Sequence, residues 1–93
     1  MQEGEKKVNS PEEKIEQIRE TLGEALLMDG FDEAILGICE RCGASPVVAY
    51  DYIKCVEILV DQGLSRDEAM EYLEFNCVNA YLGEGTPVFI TVL

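Results

Sequence analysis

The chain has 93 residues, enough for one domain with a modest core, and at that size association with another subunit is a common source of stability. Nineteen acidic residues against seven basic ones give a formal charge of −12, and there is no histidine. That balance disfavours nucleic-acid binding, because phosphates are repelled, and it excludes histidine-dependent acid–base chemistry.

The opening from Met1 to Lys7 is polar, with no apolar signal core behind it, and no run reaches the roughly 20 apolar residues of a membrane span. The expected location is the cytoplasm, where the four cysteines stay reduced. Residues 1–9 lack periodicity and are expected to form a flexible segment ahead of a single compact domain, 10–93. Ser10-Pro11-Glu12-Glu13 combines an N-cap serine, a proline at the first helical position and a glutamate placed for a capping box. A helix is expected to start there, with Ile15, Ile18, Leu22, Ala25 and Leu26 as its apolar stripe. Gly23 weakens its middle and Gly30 is its expected C-cap.

Asp32 reads as the next N-cap. Ala34, Ile35, Ile38, Cys39 and Cys42 then follow at helical spacing, and Gly43 closes the element. The run Ala34–Cys39 also fits a strand. A strand would bury both faces and leave Gly43 without a role, so residues 31–42 are expected to be helical. Pro46–Tyr50 is short, β-branched and led by proline, and reads as a strand. Asp51 caps a helix whose stripe is Ile53, Val56, Leu59 and Val60, ending at Gly63. Ser65-Arg66-Asp67-Glu68 is a second capping box, opening a helix that should run to about Leu82. Pro87–Val92 is the last expected strand.

The expected fold class is therefore α+β and mostly helical, in the order α-α-β-α-α-β, with the helices packed on a small two-stranded sheet. Such a sheet is marginal alone and needs helices or a second subunit to support it. Tyr72–Leu82 is apolar around nearly its whole circumference, with Glu74 its one charge. A domain this small has little chain with which to cover such a helix, which points to a subunit interface. Tyr72, Phe75, Asn76, Val78, Asn79, Leu82 and, from the last strand, Phe89 are the expected interface residues of a homo-oligomer, a dimer above all.

Chemical motifs are sparse. Cys39 and Cys42 form one C-x-x-C pair, which falls short of the doubled pattern of a zinc site. Placed near a helix C-terminus, where the dipole disfavours a thiolate, the pair is also poorly set for redox catalysis. Core packing is the expected role of the cysteines, and neither metal nor cofactor is expected. Arg41, Tyr50, Asp51 and Lys54 flank the Pro46–Tyr50 strand, and a helix N-terminus with nearby cations can hold an anion. With Asn76 and Asn79 they form a candidate pocket for a nucleotide or signalling molecule. Glu57, Asp61, Asp67, Glu68, Glu71 and Glu74 form a candidate acidic surface for a basic protein partner. Gly83-Glu84-Gly85-Thr86-Pro87 lacks the lysine and spacing of a phosphate loop.

The segments DGFDEAILGICERCG, PVVAYDYIKCVEILV and EYLEFNCVNAYLGEGTPVFI, between Asp29 and Ile90, resemble a family of small proteins encoded by bacteriophages and prophages, of unassigned activity. The resemblance supplies no catalytic residues. It implies a small protein that disables host machinery. Together these readings lead to the expectation of a non-enzymatic, acidic, oligomeric binding protein that inhibits a host factor (an anti-defence role) by stoichiometric binding. The alternative is a small-ligand module that sequesters a nucleotide or signalling molecule at an oligomer interface.

Overall fold

A computed structural model describes residues 10–78 and 83–93, with Val78 as backbone only. Ser10 opens the first helix, α1 (Pro11–Leu22), on a closed capping box. Its hydroxyl accepts from the Glu13 N–H at 3.2 Å, and the Glu13 carboxylate accepts from the Ser10 N–H at 3.1 Å. Gly23 ends this helix, with φ +72 and its N–H donating to the Arg19 carbonyl. The expected continuation to Gly30 is thus corrected. A glycine free to adopt a positive φ stops the helix early, and Ala25, Leu27 and Met28 pack against the core from an irregular segment.

A 3₁₀ turn (Asp32–Ala34) leads into strand β1 (Ile35–Arg41), which pairs antiparallel with β2 (Ala44–Asp51). The helix expected over residues 31–42 is therefore a strand. Arg41 lies opposite Ala44, so Cys42 and Gly43 form the hairpin connection, and Gly43 at φ +76 has the role that the helical reading had sought for it. The apolar run was short enough to fit either period, and non-local pairing with β2 decided between them. Strand β3 (Val88–Ile90) lies parallel to β2 on its other side. Among the described residues the sheet is three-stranded and mixed, with β2 central, and the element order is α-β-β-α-α-β. Both the expected order and the two-stranded sheet are overturned.

β2 is central because its sequence demands it. Val47, Val48, Ala49 and Tyr50 are all buried, so both faces of the strand are covered and no polar residue alternates with them. The register puts Ile35, Ile38, Val48, Tyr50 and Phe89 on one face and Gly37, Cys39, Val47, Ala49 and Val88 on the other. The first face meets Ile18 of α1, then Cys55, Val56 and Leu59 of α2 (Tyr52–Asp61), and Ala69 and Leu73 of α3 (Arg66–Leu73). Two irregularities bend the hairpin. Leu36 is an extra residue in β1, and β2 carries one between Val47 and Ala44, where Pro46 cannot donate to the ladder.

The caps of the later helices form as their sequences require. The Asp51 carboxylate accepts from the Lys54 N–H at 3.1 Å, and Ser65 and Glu68 close the second capping box at 3.1 and 2.9 Å. α3 is shorter than expected. At Glu74 it widens into a π turn (Glu74–Val78), and the rest of the expected helix, from Asn79 to Leu82, lies outside the described residues. No helix among the described residues is long and apolar enough to cross a membrane.

Tyr50 ties these pieces together. Its side chain is fully buried, its ring stacks on Phe89 with centroids 5.9 Å apart, and its hydroxyl accepts the Met28 N–H at 2.8 Å. Tyr50→Phe keeps the ring and orphans that partly buried N–H. The expected loss is about 1–2 kcal/mol, read as a lower urea midpoint with an unchanged slope.

Candidate binding surface

α3 buries only one side. Ala69 and Leu73 point into the core, four residues apart on one stripe. A flanking stripe carries Glu68, Glu71, Tyr72, Phe75 and Asn76 at spacings of three, four, seven and eight residues. With Leu64 from the α2–α3 link, these side chains line an open groove of about 580 Å³. Phe75 is 79 % exposed and Tyr72 45 % exposed, so two aromatic rings stand side by side in water. Single exposed apolar residues are ordinary, whereas two exposed aromatics on one groove make this the candidate contact surface. Asn76 lies on this exposed stripe, and its amide donates to the Tyr72 carbonyl at 3.0 Å. Asn76 is thus an exposed amide, satisfied by its own stretch of helix.

The groove is acidic. Glu68 and Glu71 line it, and Asp67 and Glu74 stand exposed on the same stretch of chain. Met70 and Glu74 turn to a second recess, of about 370 Å³, bounded by Tyr52, Phe89 and Thr91. There the Tyr52 hydroxyl donates to Glu74 at 3.4 Å, and its pKa is raised by loss of solvent and by the nearby carboxylate.

The residues expected to form an anion or nucleotide pocket are not brought together. Arg41 sits at the hairpin end of the sheet, where it donates to the Ser45 carbonyl at 2.8 Å and to the Glu84 carbonyl at 2.8 Å. Asp51 and Lys54 lie at the other end of β2, about 20 Å away by the rise of an extended strand. Asp51 is occupied as a cap and Lys54 is exposed. Tyr50 is buried with its hydroxyl engaged, Asn76 is on the π turn that follows α3, and Asn79 lies outside the described residues.

Of the expected interface residues, Tyr72, Phe75 and Asn76 share the groove. Phe89 is half-buried under Tyr50 instead, while Asn79, Leu82 and the Val78 side chain lie outside the described residues. The expected acidic residues Glu57, Asp61, Asp67, Glu68, Glu71 and Glu74 are all exposed. The sequence reading separated Tyr72 and Phe75 from Glu68 and Glu71 and missed Leu64. Their common helical spacing was the signal that joins the first four into one surface.

Cys39 and Cys42 occupy β1 and the hairpin turn, not a helix end. Cys39 is half-buried and Cys42 exposed. Cys55 is buried, and desolvation, with Cys77 and Asp51 nearby, pushes its thiol up to about 12. Burial raises the Cys77 thiol as well. Such thiols resist ionisation and are poor nucleophiles. Among the described residues no cluster of three or more cysteine, aspartate or glutamate side chains is placed to hold a metal ion.

No family model, no curated protein and no solved structure matches the chain.

Cys42 is expected to react with a thiol reagent at neutral pH in the native protein, and Cys55 only after denaturant is added. Mass spectrometry of the labelled peptides reads the order. Above pH 9 the unfolded Cys55 thiol loses its proton while the folded one keeps it, so the unfolded state binds fewer protons and stability falls as pH rises towards 12. Urea midpoints measured between pH 8 and 11 should decline, and less so in Cys55→Ala.

Proposed function

We propose that this chain is a non-enzymatic, acidic binding protein of the cytoplasm that acts by stoichiometric capture of a basic protein. The observation that carries the reading is the exposed aromatic pair Tyr72 and Phe75 in a groove flanked by Glu68 and Glu71. An apolar floor gives such a partner affinity, and surrounding carboxylates steer it in and select its charge. The resemblance of Asp29–Ile90 to phage and prophage proteins supports a role in disabling a host factor, with anti-defence as the setting.

Self-association belongs to the same proposal, through the sheet edge rather than the groove. Packing two copies on Phe75 would bring Glu68, Glu71 and Glu74 of each together, and every like-charged pair at about 8 Å costs roughly 0.5 kcal/mol in water. Val88–Leu93 carries no charge, and Ile90 and Val92 are exposed there. A second copy pairing along β3 would lengthen the sheet and cover them.

Light scattering on the purified protein should give a dimer mass, and Ile90→Lys should shift it towards the monomer. A wild-type monomer at high concentration would remove the oligomeric part of the reading. Affinity capture from a host lysate should retain one basic protein at equal stoichiometry in about 50 mM salt and release it in about 500 mM, as screening shortens the reach of the carboxylates. A complex indifferent to salt would contradict the electrostatic basis.

A further inference from the structure

We infer that the α3 groove is the docking site for a short arginine-bearing amphipathic helix of the partner. The inference rests on the proposed capture of a basic protein and names where and how that capture happens. Apart from Leu64, the lining residues run from Glu68 to Asn76 along α3 and the π turn that follows it, a length of about 12 Å, so the matching element is a helix of about ten residues laid alongside α3. The floor of Leu64, Tyr72 and Phe75 accepts one or two aliphatic side chains at helical spacing. The carboxylates of Glu68 and Glu71 lie one turn further along and meet cations on the flank of the same helix.

Arginine suits this site better than lysine. A guanidinium can lie flat on the open face of Phe75 or Tyr72 while its N–H fork reaches a carboxylate, whereas an ammonium meets only the charge. A second copy of this chain does not fit. Among its described helices, α1 has Lys14 and Arg19 set among six residues of opposite or neutral polar character, α2 has Lys54 alone and α3 has Arg66 alone, so none presents a basic face. The charge of the site therefore selects a foreign helix.

The test uses a labelled helical peptide of about twelve residues with two leucines on one face and two flanking arginines, titrated by fluorescence anisotropy in about 20 mM salt. Matched peptides carry lysine or glutamate in place of arginine. Binding should rank arginine above lysine, and the glutamate peptide should not bind. Phe75→Ala should weaken the arginine peptide roughly tenfold. Glu71→Lys should do the same and should gain affinity for the glutamate peptide, a charge swap that a folding defect cannot mimic. Both positions are exposed, and circular dichroism should match the wild type.

Equal affinity of Phe75→Ala and wild type overturns the groove. Equal affinity for the arginine and glutamate peptides overturns the charge selection. The two readings separate in the lysate. If Phe75→Ala and Glu71→Lys still retain the basic protein, capture stands and this site falls. If the wild type retains none, the broader reading falls with it.

Discussion

Tyr50 is the constraint on which the remaining structure depends. It sits opposite Ile35 in β1 and beside Phe89 in β3, and its hydroxyl holds the backbone of the segment that follows α1. Three separate stretches of chain thus converge on one side chain at the centre of the sheet. A phenol is well chosen for the position, because it fills the core like phenylalanine and still satisfies an N–H that would otherwise lose its water. With the sheet fixed in this way, the helices have one face to cover, and α3 arrives at its margin with half of its circumference uncovered.

The parts of this fold that were legible in the sequence are those decided locally. Ser10-Pro11-Glu12-Glu13, Asp51 and Ser65–Glu68 each state a helix start through side chains that reach only three residues, and all three form. The strands expected at Pro46–Tyr50 and Pro87–Val92 exist as β-branched runs, but the first extends to Ala44–Asp51 with its proline inside it, and the second is only Val88–Ile90. The segment from Ala34 to Cys42 was not, because its apolar spacing satisfies two periods and the deciding partner, β2, lies across a turn. Its register could be settled only by pairing, and a glycine after a cysteine reads equally well as a helix stop or as a hairpin turn. Helix α1 misled in the opposite direction. The stripe from Ile15 to Leu26 looks continuous, yet Gly23 divides it; beyond the glycine Ala25 packs on the core from an irregular path, while Leu26 is exposed.

The surface was legible in its ingredients and not in its arrangement. The apolar character of Tyr72–Leu82 and the acids upstream were both evident, but which side of the helix faces inward depends on where α3 meets the sheet. Once Ala69 and Leu73 are committed to the core, geometry hands the aromatics and the carboxylates to the same outward stripe. The candidate pocket failed for a related reason. Arg41 and Lys54 are close in sequence only through a strand, and an extended strand separates its ends more than any other element of the same length.

The parallel pairing of β2 with β3 has a kinetic corollary. The β1–β2 hairpin closes over a two-residue turn, whereas Ala49 meets Val88 across about 40 residues of intervening chain. Non-local parallel pairing is slower than local hairpin formation, so the third strand is expected to be the last to arrive. Until it does, the long apolar strand at the centre is itself an open border, and the nascent molecule passes through a stage in which its stickiest backbone faces every other chain emerging nearby.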